Sequence, residues 1–189
     1  YVSTNNFKGA YDATRTLLNA GHRNILCIRG PESAVTTQER AKGCRQAIVD
    51  LGEPCRLKIH GNEFSIQNGY TETKVALMKP NMPTAIFTMS TNILLGTIKA
   101  ISEQGLRIPD DISVISFDDS VYLDYLNPAI TRVAQPTENM ALAAVKMMIN
   151  CLKEGKQLQS RIFMAPTLIA KDSIKIINPY TAHHEQAEE

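Results

Sequence analysis

Two periods of hydrophobic and polar positions alternate along this chain. Over residues 9–20, Ala10, Ala13, Leu17 and Leu18 fall on one helical stripe, and Gly21 follows where a left-handed residue can end the helix. A short unbroken apolar run, Ile25-Leu26-Cys27-Ile28, comes next and is closed by Gly30-Pro31. The helical period returns from Gln38 to Leu51, with Ala41, Cys44, Ile48 and Leu51 in phase and Gly52 as the stop. Leu57-Lys58-Ile59 is a weaker strand. Ser65 supplies an N-cap oxygen for a helix running to Met78, with Tyr70 and Leu77 facing inward. The cycle then repeats. Thr84 to Thr88 is a buried strand, and residues 92–104 are a helix carrying Ile93, Leu94, Ile98 and Ile101 and stopped at Gly105. Ile112 to Phe117 is a further strand ending at Asp118-Asp119, and Val121 to Leu126 makes one or two helical turns before Asn127-Pro128.

Strands that are apolar on both faces and alternate with helices of 10–15 residues predict an α/β fold with a doubly wound parallel sheet. In such sheets ligands bind beyond the carboxyl ends of the strands. Those ends are Arg29 to Gln38, His60 to Phe64, Met89 to Asn92 and Asp118 to Tyr122. After residue 130 the pattern changes. Ile130 to Ala134 is extended, and Pro136 opens a helix to about Leu152, rich in Ala and Met and closed by Gly155. Arg161 to Ala165 and Leu168 to Lys171 are short extended pieces around Pro166. The end of the chain, with His183-His184-Glu185, is polar and aperiodic and reads as a solvated tail rather than a metal site.

Composition narrows the function classes. Forty-three per cent hydrophobic residues with 21% charged residues bury a core, which excludes wholesale disorder. Twenty Lys and Arg against 19 Asp and Glu leave a net charge of +1, so this stretch carries no basic footprint for nucleic acid. No apolar run approaches the roughly 18 residues of a membrane-spanning helix. The chain opens on Tyr1 without a secretory signal and reads as a fragment of something longer. Cys27, Cys44, Cys55 and Cys151 form no C-x-x-C pair; they read as small buried hydrophobes in a reducing compartment, with a Cys44–Cys55 disulfide left open by spacing.

Enzyme and cofactor signatures are missing. There is no G-x-S-x-G elbow, no phosphate-binding G-x-x-x-x-G-K and no G-x-G-x-x-G opening a helix, and no cofactor is implied. The adjacent carboxylates Asp118 and Asp119 point in different directions, which argues against a metal or acid/base pair. The polar strand ends say more as a group. Thr36 and Arg40 flank a helix start, where backbone N–H groups and a guanidinium both grip oxygen. Phe64 stands in the polar loop Gly61 to Ser65, and Asp118 at a strand's carboxyl end. An aromatic plate, a guanidinium and a carboxylate converging on one cleft would suit a sugar or a nucleobase, the ring covering an apolar face while the charges take the polar edge.

Several motifs in order carry a family resemblance. They are Asn5-Asn6-x-x-Gly9-Ala10-Tyr11-x-Ala13-Thr14, Gly21-His22-Arg23-Asn24-Ile25, Gly30-Pro31, Arg40-x-x-Gly43 and Gly69-Tyr70. Pro83 to Phe87, Gly96-x-x-Lys99-Ala100, Pro109 to Asp119, Asn127-Pro128-Ala129-Ile130-Thr131-x-Val133-x-Gln135-Pro136 and Leu168 to Ser173 follow. From about Ser3 to Ser173 the chain resembles the lactose-repressor/galactose-repressor (LacI/GalR) family of bacterial transcriptional regulators. The resemblance implies a periplasmic-binding-protein-like core of two lobes with a small-molecule effector between them. It implies a homodimer in the cytoplasm that binds operator DNA through a helix-turn-helix headpiece absent from this chain, and no membrane partner. Residues 1–6 would then end the first lobe, 7–130 form the second, and 131–167 return to the first. Residues 168–177 would cross back, and 178–189 would be a disordered tail. By motif position the effector contacts would fall on Thr36, Arg40, Phe64, Ser90, Asn92, Asp118 and Gln135, with Asn5 at the first crossover a weaker member. The chain departs from the family at Ser90-Thr91, where Asn-Asp is usual, at Asn5, usually Asp, and at Lys171, usually Arg. These changes bear on which effector is bound. An extracytoplasmic sugar-binding protein of the same fold is the alternative; Asp118-Asp119 and Gly21-His22-Arg23 favour the regulator.

Overall fold

A computed structural model describes residues 1–154 and 160–177. Its elements run β1 (Val2–Thr4), α1 (Asn6–Asn19), β2 (Asn24–Ile28), α2 (Val35–Val49), β3 (Arg56–His60), α3 (Ile66–Leu77), β4 (Ala85–Thr88), α4 (Thr91–Glu103) and β5 (Ser113–Phe117). A short 3-10 turn at Val121–Asp124 precedes β6 (Thr131–Ala134), α5 (Thr137–Glu154), β7 (Ile162–Met164) and β8 (Thr167–Ile169). Six strands form one sheet in the order β3-β2-β4-β5-β6-β8, parallel except for the antiparallel edge strand β8. The remaining pair, β1 and β7, makes a separate parallel ribbon.

The continuous apolar runs explain the two-faced core. On β2, Ile25 and Cys27 join Leu17, Cys44 and Phe117 under α1 and α2, while Leu26 and Ile28 join Ile86, Ile93 and Ile101 under α3 and α4. Strand side chains alternate between faces, so a strand covered on both sides is apolar at every position. Gly21 and Gly105 end helices with positive φ, as their sequence positions predict. The antiparallel strand and the segment after it fasten back onto the sheet. Ser173 bonds Val114 and Thr131, and the buried His22 ring bridges Thr84 and the Lys175 carbonyl.

Several expectations shift. α1 starts at Asn6 rather than residue 9, because the Asn5 side chain accepts from the Lys8 amide and caps it. α2 starts at Val35 rather than Gln38, entered through a turn in which the Ala34 amide bonds the Pro31 carbonyl. Tyr70 is only half-buried, its hydroxyl donating to Glu103 at 2.6 Å; Leu77 does pack on the core. The extended segment after residue 130 is β6, which pairs with β5 in the main sheet, and Thr167 lies in β8 at that sheet's edge. All four cysteines are free. Cys44 lies not beside Cys55 but against Cys27, with the sulfurs 3.8 Å apart. Gly155 and the tail from residue 178 fall outside the described residues.

Candidate ligand-binding site

The strand order reverses between β3-β2 and β4-β5, so the crevice beyond the carboxyl ends of β2 and β4 is the topological switch point. Arg40, in the second turn of α2, reaches into it. The side chain is 4% exposed, and its guanidinium carbon stands 3.6 Å from the centre of the Phe117 ring. Nε donates to Asn6 Oδ1 at 2.9 Å and Nη1 donates to the Met89 carbonyl, while Nη2 faces Asp118 Oδ1 at 3.7 Å. A guanidinium has five N–H donors, so these bonds leave capacity for Asp118 and for an occupant of the crevice. Burial pulls the Arg40 pKa down to about 10, and the neighbouring Asp118 carboxylate opposes that shift, so the group stays charged near neutrality.

Asp118 follows β5 directly and adopts a left-handed backbone, φ 76°, unusual outside glycine. Its amide bonds the Val133 carbonyl on β6 at 3.0 Å, and its carboxylate accepts from Gln135 Nε2 at 2.5 Å. Gln135 Oε1 in turn accepts from Thr4 Oγ1 at 2.7 Å, so the network runs from the β1 ribbon through Gln135 and Asp118 to Arg40. Phe64 packs partly on the core beneath α3 and α4 and presents the rest of its ring to the crevice. It can lie there because residue 30 is glycine: a Cβ at that position would collide with the ring. Ser90 caps α4, its hydroxyl accepting from the Ile93 amide at 3.4 Å, and Asn92 donates to the Phe64 carbonyl at 3.4 Å.

Thr36, Arg40, Phe64, Ser90, Asn92, Asp118 and Gln135 thus line one cavity of about 400 Å³, together with Thr91. Asn5 does not. Its side chain is engaged in capping α1, and it borders a larger cavity of about 620 Å³ with Tyr1, Phe7, Val35 and Phe163, where no buried ion pair converges. The asparagine that does reach the site's guanidinium is its neighbour Asn6, and nothing in an Asn-Asn pair distinguishes the two from sequence. Thr91 belongs to the strand-end loop, Met89 to Asn92, that the sequence singles out. Among the described residues no three His, Cys, Asp or Glu side chains gather where a metal ion could be held. The cavity offers hydroxyls, amides, one aromatic face and one guanidinium–carboxylate pair, a set matched to a ligand with alternating donors and acceptors around an apolar face.

A doubly wound sheet with its polar groups gathered at the switch point, crossing to a second ribbon, is the architecture of one lobe of a periplasmic-binding-protein-like core. The chain belongs to the periplasmic binding protein-like domain family, whose sequence profile matches residues 14–174. It is 32% identical over 178 residues to the HTH-type transcriptional regulator DegA of Bacillus subtilis, a match covering 94% of this chain and 52% of that protein. It is 31% identical over 176 residues to the ribose operon repressor of Haemophilus influenzae, covering 92% and 52%. The chain therefore spans about half the length of the curated relatives it matches. Among solved structures, the transcriptional regulator CelR–cellobiose complex superposes with a TM-score of 0.82 at 26% identity, over 92% of this chain and 53% of that one. A LacI family regulator from Enterococcus faecium with bound ribose shares the fold, with a TM-score of 0.85 at 24% identity over 94% and 65% of the respective chains.

Proposed function

We propose that this chain is the effector-sensing part of a LacI/GalR-type transcriptional regulator, and that a sugar or sugar derivative occupies the cavity at the switch point. The observation that carries this reading is the convergence of the Phe64 ring with the buried Arg40–Asp118 pair in that cavity. A ring covers the apolar face of a pyranose or furanose, and charged groups take its hydroxyls in bonds stronger than neutral ones. Support comes also from the relatives, which are named as repressors and regulators, and from CelR, whose complex holds cellobiose. The intact regulator acts as a cytoplasmic homodimer and binds its operator through a helix-turn-helix headpiece outside this sequence. Within the chain, residues 1–5 and the segment from α5 to β7 belong to the first lobe, and α1 to β6 with β8 form the second. Effector contacts fall on Thr36, Arg40, Phe64, Ser90, Asn92, Asp118 and Gln135.

The test is calorimetric titration of the intact protein with mono- and disaccharides and their phosphates. Binding of at least one sugar is expected. Arg40→Ala or Asp118→Ala each strands a partner in a desolvated cleft, at about 1–3 kcal/mol or more for a charged group, and both should lose the response to the sugar while keeping operator affinity. Wild-type affinity in both variants would overturn the assignment.

A further inference from the structure

Two carboxylates of the loop that leaves the site at Asp118, which also buries Leu123 in the core, meet one buried guanidinium that is not part of the cavity lining. Arg132 projects from β6 and is 3% exposed. Its Nε donates to Asp119 Oδ1 at 2.5 Å, and its two terminal nitrogens grip Asp124 at 3.0 and 3.1 Å. Nη1 also donates to the Ile130 carbonyl at 3.2 Å, and Lys171, from the segment after β8, adds a second cation to Asp124 at 3.0 Å. One guanidinium therefore closes the loop at both ends, five positions apart. The Asp124 carboxyl is held down to about 2 by the hydrogen bonds from Arg132 and Lys171, so this carboxylate stays ionised near neutrality.

We infer that Arg132 is a positioning residue for the effector site, acting through Asp119 to keep the Asp118 carboxylate aimed at Arg40 and the ligand. The inference rests on the reading of this cavity as an effector site. The physical need is set by the backbone. A non-glycine residue at φ 76° persists only where its surroundings over-determine it. Three restraints do so here, two from β6 and one from the residue that follows it. The Val133 carbonyl takes the Asp118 amide, Gln135 takes its carboxylate, and Arg132 takes the next side chain along, which the turn directs away from the cavity. Loss of the third would let the turn relax toward an ordinary conformation and swing the Asp118 carboxylate off the 3.7 Å approach to Arg40. A fork that meets two carboxylates at once has no equivalent in lysine.

The experiment compares Asp119→Asn and Arg132→Lys with the wild type, avoiding the core cavity that Arg132→Ala would open. Amide exchange is followed residue by residue in this chain. Exchange over residues 118–124 should quicken about tenfold in both variants while the amides of β2 and β4 stay within twofold. D-ribose and cellobiose are then titrated into the intact protein, alone and in an Asp118→Asn background. Whichever sugar the wild type binds should bind about tenfold more weakly to Asp119→Asn, and that loss should vanish when Asp118 is already Asn, because the two changes act through one carboxylate. An equal loss in both backgrounds would make Arg132 a merely structural residue and overturn the inference, as would unchanged exchange at Asp118. If neither sugar binds the wild type, the ribose-and-cellobiose form of the functional reading fails while the exchange measurement still decides for or against Arg132 as a positioning residue.

Discussion

At the scale of single residues, the site's affinity and the fold's acid sensitivity have separable origins. Phe64→Ala should weaken sugar binding without changing which epimer is preferred, since a ring face reads shape rather than hydroxyl direction; titration of epimer pairs checks this. Gly30→Ala should give a similar loss by pushing the intact ring aside, at little cost to the rest of the core. His22 contributes to the response to acid between pH 7 and pH 4. Its Nε2–H donates to the Lys175 carbonyl, so Nδ1 accepts from Thr84, the neutral tautomer, and burial lowers its pKa to about 4. The unfolded chain protonates near 6.5, so the stabilisation is complete above that pH and declines as pH falls toward 4, by roughly 3 kcal/mol at most. Urea midpoints measured from pH 7 to pH 4 should fall, and fall less in His22→Gln; parallel curves would contradict the assignment. Asp118 was legible from sequence because a strand's carboxyl end fixes where a residue goes, and Arg40 because it stands beside the helix start that follows one. Arg132 was not, because its role depends on carboxylates at 119 and 124 that only the turn after β5 brings to one guanidinium.

At the scale of elements, apolar period and punctuation set the helices and the strands from β2 to β5, and most errors there fell at helix entrances. The Ser65 cap was readable, since its hydroxyl accepts from the Asn68 amide at 3.1 Å. The Asn5 cap was hidden, because its residue had been read as a candidate ligand contact. Ser65→Ala should cost about 1 kcal/mol, a fall of about 2–4 °C in Tm for a chain of this size, with a small loss of sugar affinity because Phe64 immediately precedes the cap. A Tm unchanged within error would show that the cap contributes nothing. β6 was legible as extended but not as a sheet member, since Thr131 and Arg132 break the apolar run that marked the other strands.

At the scale of the whole molecule, charge and connectivity bear on the proposed role separately. With a net charge of +1 and no clustered Lys or Arg, this chain alone should show no salt-sensitive, sequence-specific shift of operator DNA in gels, because such affinity needs several phosphates neutralised together. A specific complex formed by the isolated chain would contradict that expectation. Connectivity has a further result. Gln135 is bonded to Thr4 on one side and Asp118 on the other, and α5 begins two residues later, so a residue lining the cavity sits at the foot of a long helix. Eighteen residues of helix measure about 27 Å, and a rotation of roughly 10° at the foot carries the tip through about 5 Å. A turn imposed at Gln135 by an occupant of the proposed site would thereby arrive at the far end of the helix enlarged to about the width of a side chain.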